Sequence, residues 1–193
     1  QEAKPPEGKP LISLSQGDPT AFPGLGPPPQ ARAALADAVR DGLGDGYAES
    51  SGTAAARDAV ASSFGAIPGD EPLRPDETII TVGCSQALQM ALTALTDGGR
   101  SAVLLPRPCF PLYATLADFV GAETVYYDLL PERGWEADLP KLRETIASLG
   151  DRAACLMVNN PGNPTGSVYS KAHLRELCAL CEDARVPIVA PQH

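Results

Sequence analysis

A run of small and polar residues, Gly83-Cys84-Ser85-Gln86-Ala87, follows one predicted strand and opens a predicted helix. The first turn of a helix has unpaired backbone N–H groups at the positive end of the helix dipole, an arrangement that binds phosphate. The Ser85 hydroxyl can add one more hydrogen bond. Because serine is also a common helix N-cap, the run alone predicts either a phosphate-binding turn or a simple helix start.

A second candidate is the aromatic residue in Pro106-Arg107-Pro108-Cys109-Phe110-Pro111-Leu112-Tyr113, a segment that follows the next predicted strand. Its rigid prolines hold Phe110 at the carboxyl end of that strand. There the ring can stack on a planar ligand, or it can belong to the hydrophobic core. On this segment alone the core is the simpler interpretation.

A third candidate is the turn-forming run Asn159-Asn160-Pro161-Gly162-Asn163-Pro164-Thr165-Gly166, which follows another apolar strand. Three asparagines follow the strand end, and two of them, Asn160 and Asn163, precede prolines and are biased toward extended geometry, so the run can present its amides to a ligand. The alternative is a surface loop with no ligand, since all these residue types favour turns.

These three runs need a scaffold that brings them to one edge, and the hydrophobic pattern predicts one. Strands are predicted at 78–82, 101–105, 124–129, 154–158 and 187–190, and helices at 30–39, 53–64, 85–96, 111–119, 139–149 and 171–184. Strands that alternate with helices indicate an α/β fold with parallel strands joined by helical crossovers. Ligands of such sheets bind beyond the carboxyl ends of the strands, where the three runs lie.

The composition narrows the possible functions. The chain has 193 residues, a formal net charge of -9 and 44% hydrophobic residues. This is ordinary for a globular protein and argues against a general affinity for nucleic acid or anionic membranes. Five cysteines, an odd number with scattered spacing, favour a reducing, cytoplasmic compartment. The sequence does not begin with Met, so the natural N-terminus is expected upstream.

In this order and at this spacing, the three runs resemble the class I and II, fold-type I pyridoxal-phosphate aminotransferases. Asn160–Gly166 is similar to the family signature N-P-x-N-P-T-G, and Ile12–Thr20 and Gly46-Tyr47-Ala48 are similar to further family segments. Details such as Pro-Arg-Pro-x-Phe are most similar to the N-terminal portion of the tyrosine aminotransferase group. The resemblance runs from Ile12 to Ala190.

The resemblance implies a three-layer sandwich around a mostly parallel sheet. Residues 1–46 are expected to form an N-terminal arm and linker, and 47–193 the N-terminal part of the cofactor-binding large domain, with the remainder and the C-terminal small domain absent. It also implies pyridoxal 5'-phosphate as cofactor, amino acid and 2-oxo acid substrates, and a homodimer without nucleic-acid or membrane partners. The implied reaction moves an amino group from an aromatic amino acid to a 2-oxo acid.

The family's binding roles carry over to residues that match its motifs. The resemblance assigns the cofactor phosphate to Cys84, Ser85 and Gln86, mainly through backbone N–H groups. It assigns Phe110 to stack on the cofactor ring. It assigns the amide of Asn163 to a hydrogen bond with the ring 3-oxygen.

Two further roles follow from the upstream segments. Tyr47 matches the family tyrosine that reaches the phosphate of the neighbouring subunit, which is why a homodimer with shared sites is implied. Gly17 lies where the family's N-terminal segment closes on the substrate carboxylate, so it is assigned to substrate binding.

The match breaks where the family has an aspartate that pairs with the protonated ring nitrogen. Residues 187–190 fit the preceding strand, but Pro191-Gln192-His193 follows, and the Pro191 side chain cannot accept a proton or a hydrogen bond. None of the four lysines follows an apolar strand, so none matches the Schiff-base lysine: Lys4, Lys9, Lys141 and Lys171. The chain is therefore expected to be a fragment that is inactive alone.

Other interpretations remain open. The chain can be a noncatalytic fragment that binds the cofactor or pairs with an intact subunit. A nucleotide-binding domain is disfavoured because no G-x-G-x-x-G run occurs. Cys178-x-x-Cys181, with His173 nearby, has zinc or redox spacing. However, Leu174, Leu177 and the two cysteines have the spacing of a buried helix face, which is the preferred interpretation.

Overall fold

The computed structural model describes residues 8, 17, 18, 20, 22–64 and 72–191. The chain divides into two compact units, residues 1–78 and 79–193. The boundary predicted after residue 46, between an N-terminal arm and the large domain, is a different division. It stays a prediction. Among the described residues, no helix combines the length and apolar character that crossing a bilayer requires.

The described part of the first unit contains two α-helices, α1 (Pro29–Arg40) and α2 (Ala54–Phe64). Pro29 suits the first position of α1, because its fixed φ is helical and its missing N–H would have no partner there. The Thr53 hydroxyl accepts a hydrogen bond from the Ala56 N–H at 3.3 Å and so caps α2. Both helices lie within two residues of their predicted bounds.

The second unit is a five-stranded sheet with helices on both faces. Its strands are β1 (Ala102–Arg107), β2 (Glu123–Leu130), β3 (Glu136–Ala137), β4 (Ala153–Met157) and β5 (Ile188–Val189). Its helices are α3 (Gly83–Leu95), α4 (Leu112–Phe119), α5 (Leu139–Leu149) and α6 (Lys171–Ala184). The strand order is β3-β2-β1-β4-β5, and every pair is parallel except the antiparallel pair of β2 with β3.

The central strands supply alternate residues to two separate apolar layers. Leu104 and Leu156 pack in the layer that α5 and α6 cover. Val103, Leu105 and Met157 pack in the layer that α3 and α4 cover. Successive side chains of a strand point to opposite faces, so the two layers enclose the sheet from both sides. The predicted three-layer sandwich around a mostly parallel sheet is confirmed.

Side-chain caps explain why α5 and α6 begin where the sequence predicts. The Asp138 carboxylate accepts a hydrogen bond from the Lys141 N–H at 3.2 Å, at the start of α5. The Ser170 hydroxyl accepts one from the His173 N–H at 3.2 Å, at the start of α6. Short polar side chains at this position satisfy N–H groups that have no partner within the helix.

The predicted strand at residues 78–82 does not form, and this prediction is wrong. The segment belongs to no sheet, and Ile79 and Val82 are exposed. A strand is held by hydrogen bonds to a neighbour. Within the described residues the five strands pair only with one another, so the segment has no neighbour. Conversely, β3 has only two residues, too few for a strand pattern in the sequence.

Candidate functional site

Helix α3 begins at Gly83, directly after the unpaired segment. Gly83 has φ of +76°, a left-handed conformation that a side chain disfavours. Val82 precedes the helix and supplies no side-chain cap, and Ser85 is the third helical residue. Ser85 is therefore not the N-cap. Its exposed hydroxyl makes no hydrogen bond to the described residues.

The first turn of α3 carries the donors that a phosphate needs. The N–H groups of Cys84 and Ser85 have no carbonyl one turn earlier in the helix to bond. The Gln86 side chain is engaged nearby, because its Oε1 accepts a hydrogen bond from the Val82 N–H at 2.6 Å. Of the three predicted phosphate residues, Cys84 and Ser85 thus present the open groups, and the role of Gln86 stays a prediction.

Phe110 follows β1 and is 39% exposed, so it does not belong to the core. Its ring packs edge-to-face on the buried Tyr113, with centroids 5.8 Å apart and planes at 83°. Burial, with a smaller contribution from the neighbouring thiols of Cys84 and Cys109, raises the pKa of Tyr113 to about 12. Tyr113 therefore lies between the start of α3 and the Phe110 segment, and connects two of the predicted binding segments.

The three asparagines after β4 have different environments. Asn159 is 4% exposed, and its amide is oriented so that the nitrogen donates to the Pro191 carbonyl and the oxygen accepts from the Asn163 N–H, each at 2.9 Å. The Asn160 Oδ1 accepts from the Tyr169 N–H at 2.9 Å. The Asn163 side chain is exposed and makes no hydrogen bond to the described residues. Only Asn163 presents its amide outward; the other two hold the loop.

Asn159 is the residue that sequence reasoning missed. The run of asparagines was a signal, but it does not say which amide turns inward. Burial decides this, because a buried amide requires partners and the backbone of Asn163 and Pro191 supplies them. Asn159 therefore ties the end of β4 to both the Asn163 loop and the residues after β5.

Gly162 is a second missed residue of the same loop. Its N–H donates to the Ser167 carbonyl at 2.8 Å, and its carbonyl accepts from the Gly166 N–H at 2.7 Å. A Cβ at residue 162 would overlap the Thr165 hydroxyl and press on that of Ser167. The loop is thus closed on itself at a position where only glycine fits.

The open groups share one edge of the sheet. β1 and β4 are parallel neighbours, so their carboxyl ends meet at the same edge. Phe110 follows β1 and Asn163 follows β4, while the start of α3 lies beside Tyr113. The arrangement offers an anion-binding helix start, an exposed aromatic ring and an outward amide, which suits a phosphorylated aromatic ligand.

Comparison with known proteins agrees with this geometry. Residues 9–190 match the model of the family Aminotransferase class I and II. The chain belongs to this family. It is 44% identical to tyrosine aminotransferase of Mus musculus over 191 residues, which are 99% of this chain and 41% of that protein. It is 43% identical to the Homo sapiens tyrosine aminotransferase over 191 residues, again 99% of this chain and 41% of that protein.

Solved aminotransferases have the same fold as this aminotransferase-family chain. Tyrosine aminotransferase from Leishmania infantum superposes with a TM-score of 0.82 and 31% identity, over 92% of this chain and 48% of that one. A Thermus thermophilus aspartate aminotransferase mutant superposes with a TM-score of 0.84 and 33% identity, over 95% and 48%. The chain spans about two-fifths of the length of these curated relatives, 41% of both the Mus musculus and the Homo sapiens tyrosine aminotransferase.

Two site residues expected from the family lie in the first unit. Tyr47 is fully exposed, and Gly17 is exposed as well. The Tyr47 hydroxyl makes no hydrogen bond within the described residues. Their assigned roles, toward a neighbouring subunit and toward a substrate carboxylate, stay predictions.

The ring-nitrogen aspartate and the Schiff-base lysine that the resemblance to the aminotransferase family implies have no match in this sequence. Pro191 follows β5, and its backbone carbonyl is bonded by Asn159, so no carboxylate stands at the predicted aspartate position. Lys141 is engaged by Asp128, at 3.3 Å between Nζ and Oδ2. The Arg107 guanidinium, 2.6 Å from that carboxylate, and Lys141 hold the pKa of Asp128 below its usual value. Lys171 begins α6.

The Cys178-x-x-Cys181 pair does not form a metal or redox centre in the described structure. Cys181 is buried with Leu177, and burial raises the pKa of its thiol to about 11. Cys178 is exposed, so the predicted buried stripe is wrong at that residue and correct at the others. Among the described residues there is no group of three or more side chains that could hold a metal ion.

Proposed function

We propose that the protein to which this chain belongs is a pyridoxal-phosphate-dependent aminotransferase that moves the amino group of an aromatic amino acid to a 2-oxo acid. The observation that supports this most is the shared edge that carries the start of α3, Phe110 and Asn163. The substrate class rests on the tyrosine aminotransferases among its relatives. A homodimer and a cytoplasmic location belong to the same proposal, the latter because all five cysteines are free thiols.

The residues at this edge fit the cofactor. The N–H groups of Cys84 and Ser85, with the Ser85 hydroxyl, would bind its phosphate at the start of α3. Phe110 would cover one face of its ring, and the outward amide of Asn163 would bind the ring oxygen. When bound, pyridoxal 5'-phosphate supplies an electron-withdrawing ring that stabilises negative charge on the substrate α-carbon.

Two groups needed for the reaction have no counterpart at these positions. The Pro191 side chain offers no acceptor for a proton on the ring nitrogen. Lys141 lies on helix α5 and Lys171 at the start of α6, so neither lysine belongs to the segments that carry Phe110 and Asn163. We therefore expect the 193-residue chain to bind the cofactor weakly without turnover. Incubation with pyridoxal phosphate, L-tyrosine and 2-oxoglutarate should give no more product than a protein-free control.

The binding step has its own test. Pyridoxal phosphate is titrated into the chain and followed by its absorbance, and borohydride is then added to trap any lysine adduct. We expect a saturable signal without a trapped lysine. Ser85→Ala should weaken binding roughly ten- to hundredfold, about the value of one hydrogen bond to a charged group. Ser148→Ala, an exposed serine on α5 across the sheet, is the matched control and should not. Absence of any signal would refute the proposed cofactor site.

A noncatalytic fragment that binds the cofactor or pairs with an intact subunit is the second candidate function. The loss of the acceptor at residue 191 is the observation that favours it. Both candidates predict cofactor binding without turnover by the 193-residue chain, and turnover by this chain would refute the noncatalytic fragment.

A further inference from the structure

His173 is a buried polar side chain, 7% exposed, that the proposed cofactor site does not use. Its Nε2 accepts a hydrogen bond from the Ala137 N–H at 3.0 Å. An imidazole nitrogen that accepts a hydrogen bond carries no proton, so the ring is neutral here and its proton is on Nδ1. Nδ1 lies 3.7 Å from a carboxylate oxygen of Glu136, which suits that tautomer. His173 thus joins α6 to β3.

The start of α6 depends on the same carboxylate. The Glu136 Oε1 accepts from both the N–H and the hydroxyl of Ser170, at 3.1 and 2.6 Å. The Ser170 hydroxyl in turn accepts from the His173 N–H and caps α6. The first turn of α6 is therefore fixed to β3 at both His173 and Ser170.

Tyr169 connects this junction to the loop that carries Asn163. Its buried ring packs edge-to-face on the imidazole of His173, with centroids 5.2 Å apart. Its N–H is held by the Asn160 side chain, which is the residue that opens the loop. A continuous path of contacts leads from Ala137 through His173, Tyr169 and Asn160 to the loop.

The charges around the imidazole come from every element that packs on it. Glu136 lies on β3, Arg133 on the turn before β3 and Glu176 on α6, and all three line one cavity with His173. If Nε2 of His173 were protonated, its N–H would face the Ala137 N–H, which is also a donor. The hydrogen bond to Ala137 would then break, and both buried donors would lack an acceptor.

We propose that His173 is a positioning residue: its neutral imidazole holds the start of α6 and, through Tyr169 and Asn160, the loop that presents Asn163. Protonation of His173 releases this loop, so cofactor affinity falls as the pH is lowered. The inference rests on the proposed cofactor site for its effect on affinity. The link between His173 and the loop does not depend on the cofactor.

Two measurements on the 193-residue chain test the proposal. The first is amide hydrogen exchange without cofactor, at about pH 8 and about pH 5.5, on either side of the usual histidine pKa. Protection factors, corrected for intrinsic exchange, should fall at the lower pH for Ala137 and Tyr169 together. In His173→Gln, whose amide can accept the same hydrogen bond without titrating, both should be independent of pH.

The second measurement is the pyridoxal phosphate titration. His173→Leu should raise the Kd about tenfold, the factor for one lost buried hydrogen bond. His173→Gln should restore the affinity that is lost in His173→Leu. Its affinity should also change less with pH than that of wild type, because glutamine does not titrate. Arg175→Gln, an exposed change on the same helix, should behave as wild type. His173→Gln stays informative if His173→Leu does not fold.

The outcomes separate the two proposals. If wild type does not bind pyridoxal phosphate, the proposed function fails, and hydrogen exchange alone decides the role of His173. If Ala137 loses protection at low pH and Tyr169 keeps it, the path from His173 to the loop is refuted. Equal pH dependence in wild type and His173→Gln would also refute the proposal, since a residue that only fills space would give that result.

Discussion

The structure gives two asparagines of one loop different tasks, and this can be tested by paired substitutions. Asn159→Ala removes an amide that satisfies the Asn163 N–H and the Pro191 carbonyl, both at 2.9 Å. A buried polar group left without a partner costs about 1–3 kcal/mol, so two such groups should lower the free energy of unfolding by about 2–6 kcal/mol. For a chain of this length, a loss of that size lowers the Tm by roughly 4–24 °C.

Asn163→Ala is the matched substitution, four residues further along the chain. The Asn163 side chain is exposed and unbonded within the described residues, so the free energy of unfolding should change by no more than about 0.5 kcal/mol. Its effect belongs to cofactor binding, where loss of the ring-oxygen contact should raise the Kd for pyridoxal phosphate roughly five- to tenfold.

Urea denaturation followed by circular dichroism, together with the absorbance titration, separates the two tasks. Asn159→Ala should reduce stability and affinity, because the loop loses its anchor. Asn163→Ala should reduce affinity alone. If Asn159→Ala is as stable as wild type, the amide of Asn159 is not satisfied as described, and it faces a ligand as the sequence suggests. A large stability loss in Asn163→Ala would equally refute the assignment.

Three further substitutions have defined outcomes. Gly162→Ala should lower the free energy of unfolding by about 1–3 kcal/mol through overlap with the Thr165 hydroxyl, and Thr165→Ala in the same chain should recover part of the loss in urea denaturation. Leu156→Ala, at a fully buried position of β4, should cost about 2–5 kcal/mol by the same measurement. The Ser170 hydroxyl holds the pKa of Glu136 below its usual value, so Glu136 stabilises the fold above its unfolded pKa and this is lost as the pH falls. Ser170→Ala should therefore reduce the drop in stability between about pH 7 and about pH 3.

Local signals explain the parts of the fold that the sequence predicts well. Helices α5 and α6 have the predicted bounds because Asp138 and Ser170 cap them and their apolar faces recur with the helical period. β1 and β4 are apolar and mostly buried runs between turn-forming residues, and in β2 the buried Tyr127 and Leu129 alternate with more exposed residues. These features act within a few residues of chain, so they can be read without knowledge of tertiary contacts.

The errors occur where tertiary contacts decide. Residues 78–82 have the apolar composition of a strand, but a strand also requires a neighbour, which composition cannot supply. Ser85 has the residue type of an N-cap, but the backbone turn at Gly83 places it inside the helix. Cys178 fits a helical stripe, yet it lies at the edge that faces solvent.

The same distinction between local structure and tertiary contacts applies to the proposed site. Its binding groups are set by local structure: a helix start at Gly83, a proline-framed Phe110, and a loop around Asn163 that closes on itself. Proton chemistry at the ring nitrogen instead needs one carboxylate at one position, and there Pro191 has only a backbone carbonyl, already bonded by Asn159. A binding edge made from helix and loop geometry does not depend on that carboxylate. Under the proposed function, binding and turnover are therefore separable in this chain, and cofactor affinity, rather than activity, is the property in which changes at Ser85, Phe110 and Asn163 should first appear.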